Sequence, residues 1–290
     1  MVWFVYAFLT AIFESAKDVF SKKSLKEMDE YVVSWSLMFF SLVFLLPMFI
    51  FINIPMLTSQ FWIALLIGGS LNVMAIILFM KAIKASDLSL TIPMITFTPL
   101  FLLLTSPIMI GEFPTPLGLS GVLLIVVGSY VMKIKYMKKG LKGFFAPFGA
   151  LIKEKGPRLM LLVAFIWSIT SNFDKMGVIN SSPMFWVAAT GLFMAIIMLP
   201  IMLFKSKNIM QKMKSGYKAL IPMGIFGVAA SIFQMTAVSM TLVAYVISIK
   251  RTSTIMSVLF GHFLFKEKGL KERLIGVILM VLGVVLIMLS

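Results

Sequence analysis

The chain of 290 residues contains no cysteine and a single histidine, and only 13% of its residues are charged. The absence of cysteine excludes disulfides, thiolate metal sites and a cysteine nucleophile. The sequence also lacks a glycine-rich loop with a lysine for nucleotide phosphates, and no Ser/His/Asp arrangement is evident. We therefore expect a protein that is not an enzyme, with no catalytic residue, no cofactor and no metal site.

Hydrophobic residues make up 60% of the chain, whereas soluble globular domains have about 45–50%. So little polar surface indicates that lipid solvates much of the molecule. The 26 Lys and Arg outnumber the 11 Asp and Glu, but the basic residues cluster between apolar runs. That pattern is typical of the flanks of membrane helices rather than of a nucleic-acid-binding surface. The expected partners are the bilayer and a small-molecule substrate, and the oligomeric state stays open.

Ten apolar runs approach the length of about 20 residues that a membrane helix needs. The first run lacks a basic segment and a small-residue cleavage site, so we expect a retained helix rather than a signal peptide. The sequence predicts an all-α polytopic membrane protein whose ten transmembrane helices cover residues 2–21, 32–52, 60–80, 87–110, 116–133, 159–177, 184–204, 217–238, 241–264 and 272–289.

The two halves of the chain repeat each other. At a shift of 153 residues, the identities include Pro47 with Pro200 and Lys22 with Lys175. At a shift of 155 residues, they include Glu112 with Glu267, Gly121 with Gly276 and Gly128 with Gly283. We therefore predict a first five-helix repeat over residues 1–135, a cytoplasmic linker over 136–158 and a second repeat over 159–290.

Five helices per half is an odd number, so the second half enters the membrane upside down and the repeats are inverted. Charges support this orientation, because the basic residues lie mainly in the connections that follow odd-numbered helices. The connection 53–60 has no basic residue, whereas its repeat mate 205–214 is rich in lysine. The positive-inside rule then predicts cytoplasmic Lys-rich loops, both termini outside and a multi-pass protein of the cell membrane.

Short motifs recur at equivalent places in both halves. Gly111-Glu112 follows the fourth helix, Gly121 and Gly128 lie in the fifth, and the second half has Glu267, Gly276 and Gly283. With Trp167-Ser168 and Lys175 in the sixth helix, the chain resembles the ten-helix EamA-like branch of the drug/metabolite transporter superfamily over essentially its whole length. The resemblance implies transport of a small molecule, since members carry amino acids, sugars, nucleotide-sugars, phosphorylated metabolites or drugs. Many ten-helix members keep both termini inside, whereas the charges here predict the opposite.

The first predicted helix contains Glu14, Lys17 and Asp18, and ionisable groups in membrane helices are candidate functional groups. A carboxyl group in low dielectric loads and releases a proton closer to neutral pH. This helix resembles that of small multidrug resistance proteins, in which a membrane glutamate binds protons and cationic substrates in turn. Glu14 and Asp18 are therefore candidate proton-coupling residues. The alternative is an ion pair of Glu14 with Lys17, Lys250 or Arg251 that only positions helices.

The ninth helix contains the adjacent cations Lys250 and Arg251, with Thr254 one turn beyond Lys250. A buried guanidinium can bind a carboxylate or phosphate through two parallel hydrogen bonds. The Lys-Arg pair resembles that of sugar-phosphate translocators of the same superfamily, which implies contact with an anionic group. The alternative is that both cations neutralise Glu14 and Asp18. A weaker polar lining adds Asn72, Ser168, Ser171, Asn172, Asp174 and Gln234.

These features predict a secondary transporter that moves a small anionic or zwitterionic metabolite by alternating access, with proton coupling left open. The candidate substrate-binding residues are Asn72, Ser168, Asn172, Gln234, Lys250, Arg251 and Thr254. Two alternatives stay open: a flippase for a lipid-linked phosphate, and a proton-coupled exporter of cationic drugs or amino acids.

Overall fold

The computed structural model describes residues 2–47, 55–85, 92–133, 154–253, 255–256 and 270–290. Within them the chain forms ten helical segments in the order of the ten predicted spans. They are α1 (Val2–Ser24), α2 (Glu30–Leu45), α3 (Ser59–Ala85), α4 (Thr98–Ile110), α5 (Pro116–Lys133), α6 (Lys155–Ile179), α7 (Pro183–Lys205), α8 (Ile209–Met240), α9 (Val243–Lys250) and α10 (Leu270–Met288). The predicted all-helical polytopic fold is confirmed.

Four of these helices, α3, α6, α7 and α8, are long and apolar enough to cross a membrane by length and composition alone. The apolar parts of α2, α4, α5 and α10 are shorter. Large hydrophobic side chains point outward from many helices, as Ile108 on α4 and Phe204 on α7 do. Such an apolar exterior suits lipid as the surrounding solvent.

Helix packing follows the sequence repeat. Helix α1 packs along α8, and its repeat mate α6 packs along α3, which is the repeat mate of α8. Helix α5 packs on its own repeat mate, α10, and α2 packs on α7. Gly121 lies against Gly283, and Gly128 lies against Gly276, so α5 and α10 run in opposite directions. Antiparallel mates are what an inverted repeat requires.

Two helix boundaries differ from the sequence-based expectation. Helix α8 begins at Ile209 rather than near 217, because its first two turns are polar and continue the helix beyond the apolar run that marks the membrane span. A short 3₁₀ segment, Ile92–Phe97, precedes α4, which begins at Thr98 with Pro99 in its first turn. Proline is favoured there because its missing N–H has no partner in a first turn.

The ninth predicted span also begins as expected, but α9 ends as a regular helix at Lys250, and Arg251 lies in the turn that follows. Thr254, most of the predicted linker 136–158, His262 and Glu267 lie outside the described residues.

Candidate functional site

A cavity of about 200 Å³ lies between the two halves. Helices α1, α2, α3 and the start of α4 line it from the first half, and α6, α7, α8 and α9 from the second. Its lining includes five ionisable residues, namely Glu14, Lys17, Asp174, Lys250 and Arg251. A site between inverted repeats is where transporters of this architecture bind substrate.

The carboxylates of α1 are occupied by lysines. Lys17 Nζ lies 2.8 Å from Glu14 Oε1 and 3.4 Å from Asp18 Oδ1. Lys250 Nζ approaches the same Glu14 oxygen at 3.3 Å. The ion-pair alternative for Glu14 is therefore present in the structure, where it joins α1 to α9. Asp18 is not among the residues that line the cavity.

Lys250 and Arg251 both line the cavity at the end of α9, where cations interact favourably with the negative end of the helix dipole. Lys250 Nζ donates a hydrogen bond of 2.8 Å to Gln234 Oε1 on α8. Arg251 is 8% exposed, and its Nη2 donates to Thr98 Oγ1 at 2.9 Å. Its Nε is buried without a hydrogen-bond partner, and the described part of the chain places no carboxylate in an ion pair with it.

Asp174 lines the cavity from α6. Its Oδ1 accepts a hydrogen bond of 3.0 Å from the indole N–H of Trp186, a buried residue of α7. No described Lys or Arg forms an ion pair with Asp174. Trp167 and Ser171 line the same cavity and fall on the same face of α6, at spacings of four and three residues. From the sequence, Ser171 and Asp174 were assigned only to a weaker polar lining, although an acidic residue within a predicted membrane span is itself a signal of a functional site.

The predicted substrate-binding residues separate into two groups. Asn72 and Gln234 line the cavity with Lys250 and Arg251, whereas Ser168 and Asn172 do not. The Asn172 amide joins α6 to α4, because its Nδ2 donates to Thr105 Oγ1 and to the Ser168 carbonyl, and its Oδ1 accepts from Ser106 Oγ. Thr254 lies outside the described residues.

An ion pair between Lys175 on α6 and Glu112, in the loop between α4 and α5, lies at the break between α8 and α9. Lys175 Nζ donates to the carbonyl oxygens of Val238 and Thr241, at 2.7 and 2.8 Å, and lies 3.2 Å from Glu112 Oε1. Glu112 Oε2 accepts from the backbone N–H of Val243 at 2.8 Å. The cation thus caps the end of α8 and the carboxylate caps the start of α9, as helix dipoles favour.

At the opposite end of the helices, Asp29 joins the start of α2 to the first turn of α8 and to the connection before α8. Its Oδ2 accepts from Lys212 Nζ at 2.8 Å, and its Oδ1 accepts from Ser206 Oγ and from the first backbone N–H groups of α2. Burial by itself would raise the pKa of Asp29, but the hydrogen bonds from Lys212, Ser206 and the backbone outweigh burial and lower it.

A metal ion has no evident place here: within the described residues, no group of three His, Asp or Glu side chains is arranged to hold one. The arrangement can instead bind a small charged molecule, because unpaired polar groups of both signs converge on one cavity between helices.

Comparison with known proteins agrees with this architecture. No match was found among curated proteins. One solved crystal structure shares the fold, with a TM-score of 0.77 at 15% sequence identity, covering 99% of this chain and 96% of its own. The model of the EamA-like transporter family matches twice, over residues 1–134 and 155–289, which correspond to the two repeats. The chain therefore belongs to the EamA-like transporter family.

Proposed function

We propose that this membrane transporter is a secondary transporter that carries a small metabolite by alternating access and binds its anionic group with Arg251. The observation that carries the proposal is that the buried Arg251 side chain has unused hydrogen-bonding capacity. Its guanidinium is buried in the cavity, makes no ion pair with a described residue and leaves Nε without an acceptor. A substrate carboxylate or phosphate would supply the negative charge and the hydrogen-bond acceptors that this guanidinium lacks.

Lys250 is the second anion-binding group in this proposal. It shares Glu14 with Lys17, so a substrate anion can draw Lys250 away without leaving Glu14 unpaired. The same pairing argues against a cation exporter centred on Glu14, because two lysines already occupy that carboxylate. Glu14 and Asp18 are kept as candidate proton-coupling residues, and imposing a proton gradient during uptake tests them.

The size of the cavity supports a small substrate. At about 200 Å³, it is below the roughly 300–1,000 Å³ of sites for drug-sized ligands. Its lining reaches Ser21 and Met80, near the Lys-rich ends of α1 and α3. The Glu112–Lys175 pair lies at the other end, and neither it nor the residues whose backbone it contacts, Val238, Thr241 and Val243, contribute to the lining. This asymmetry supports alternating access, with a cavity directed toward the Lys-rich side.

We place that side in the cytoplasm of a cell-membrane protein and both termini outside, on the strength of the loop charges. The absence of native cysteine makes a direct test possible with single-cysteine variants. A membrane-impermeant maleimide should label Met56→Cys, in the connection before α3, only from outside. It should label Glu27→Cys, in the connection before α2, only from the cytoplasmic side. The reverse labelling would overturn the orientation.

Uptake by proteoliposomes tests the function itself. The panel contains carboxylates, sugar phosphates, amino acids and organic cations, with and without a proton gradient, and a separate assay follows flipping of a lipid-linked phosphate. Arg251→Gln should lower uptake of the anion-bearing substrate at least about 30-fold, since loss of a buried charge contact costs about 2 kcal/mol or more. Arg158→Gln is the matched control, because Arg158 lies exposed at the start of α6. Cation uptake that survives Arg251→Gln, or activity on the lipid alone, would contradict the proposal.

A further inference from the structure

Not every charged side chain that lines the cavity has an ion-pair partner among the described residues. Lys17 and Lys250 share Glu14, and Lys17 also pairs with Asp18. The other two ionisable residues of the lining, Arg251 and Asp174, form no ion pair with any described residue. Leaving a charge unpaired in a site of low dielectric is costly. Within the described residues, one cation and one anion without a salt-bridge partner therefore line a single cavity.

The surroundings of Asp174 are suited to a group that only donates hydrogen bonds. One carboxylate oxygen is fixed by the Trp186 indole, and the other has no hydrogen bond in the described structure. The hydroxyl of Ser171 donates to the Trp167 carbonyl and that of Thr190 donates to the Trp186 carbonyl, both at 2.7 Å. Both hydroxyls line the cavity with their oxygen lone pairs left to accept. An ammonium group has three donors and no acceptor, so it matches these oxygens.

Trp167 adds a feature of the same kind. Its indole lines the cavity on the face of α6 that carries Ser171 and Asp174, and the face of an indole attracts cations. The groups at the end of α9 have the opposite character, since Lys250 and Arg251 only donate. The cavity thus has an accepting group of residues on α6 and α7 and a donating pair on α9.

We infer that the transported metabolite is a zwitterion, whose ammonium group is bound by Asp174 while its anionic group is bound by Arg251. This inference rests on the proposed function, and it assigns Asp174 as the residue that selects the charge type of the substrate. A pure anion would leave Asp174 unpaired inside the occupied site, and a pure cation would leave Arg251 unpaired. A molecule with both charges neutralises both side chains at once.

The test uses matched sets of compounds that share one skeleton. An α-amino acid, a β-amino acid, an aminosulfonate and an aminoalkyl phosphate are each compared with their N-acetylated forms, which keep the anionic group and lose the ammonium. Wild-type proteoliposomes should take up at least one zwitterion at least tenfold faster than its N-acetylated form. This comparison needs no variant. Equal uptake of both forms of every compound would overturn the inference.

Asp174→Asn supplies the residue-level test, because its amide oxygen can still accept from the Trp186 indole and so keeps the local packing. The variant should lose the preference, with zwitterion uptake reduced at least tenfold and uptake of the N-acetylated form unchanged or increased. Equal reduction of both would contradict the role of Asp174. Arg251→Gln separates the two proposals, since it should lower uptake of both forms at least about 30-fold, and N-acetyl uptake that persists at the wild-type rate in this variant would instead refute the anion site.

Discussion

Gly121 on α5 and Gly283 on α10 face each other so closely that a Cβ added to either residue would lie 2.6 Å from the other's carbonyl oxygen. About two turns further along α5, a Cβ added to Gly128 would likewise lie 2.6 Å from the carbonyl oxygen of Gly276. In the sequence repeat Gly121 corresponds to Gly276, and Gly128 corresponds to Gly283. In the structure the partners are exchanged, because Gly121 contacts Gly283 and Gly128 contacts Gly276. This exchange is the local consequence of inverting one repeat relative to the other.

Alanine at Gly121 or Gly283 should destabilise the protein, because backbone rather than a flexible side chain opposes the new methyl group. We expect a loss of about 1–3 kcal/mol or more, as for overpacked cores, seen as a lower midpoint of thermal unfolding in detergent. Val127→Ala on the exposed face of α5 is the control and should change the midpoint little. An unchanged midpoint for both glycine variants would contradict the close packing of α5 against α10.

Loss of the Lys175 side chain should be more damaging than loss of the Glu112 charge. Lys175→Met leaves the Val238 and Thr241 carbonyls and Glu112 without their cation, and breaking a buried pair costs about 3–5 kcal/mol. Glu112→Gln keeps an acceptor for the Val243 N–H and should cost about 1 kcal/mol. Unfolding in detergent measures both, with exposed Lys205→Met as the control. Equal losses for the two variants would show that the carbonyl contacts contribute little.

The Asp29 contacts predict a pH dependence of stability. Because the pKa of Asp29 is lowered in the folded state, its charge contributes stability above its ordinary pKa of 3.8, and this contribution is lost as the pH falls through the folded pKa. Asp29→Asn keeps a helix cap and removes only the charge. The variant should be less stable than the wild type at pH 7, and the difference should shrink as the pH falls below 3.8. A difference that persists unchanged in acid would contradict the ionic origin.

Asn172 and Gln234 should separate structural from substrate contacts. Asn172→Ala removes an amide that joins α6 to α4 and should lower stability by about 1–3 kcal/mol, with KM for the substrate nearly unchanged. Gln234→Ala frees Lys250 in the cavity and should change KM with little effect on stability. Uptake kinetics and thermal unfolding of both variants provide the comparison. A large KM change in Asn172→Ala at intact stability would restore Asn172 as a binding residue.

The sequence was sufficient for the helices and the repeat, because membrane spans are strong local signals. Lys250 and Arg251, which stood out as charges within a predicted span, line the cavity, and their role as binding residues stays a prediction. The sequence was not sufficient to choose the face of α6. Successive residues of a helix point about 100° apart, so Trp167, Ser171 and Asp174 face the cavity while Ser168, Asn172 and Lys175 face α4 and the α8–α9 break. Only the packing of neighbouring helices decides which of the two adjacent polar faces of α6 lines the cavity.

Accessibility of the cavity from each side of the membrane tests the central claim most directly. Ser231→Cys would place the chain's one thiol in the cavity lining, where a membrane-impermeant maleimide can be applied from either side. We predict labelling from the cytoplasmic side at rest, labelling from outside once a transported substrate drives exchange, and slower labelling when that substrate fills the site. Labelling from one side only, at a rate that substrate does not change, would contradict an alternating-access site between the two repeats.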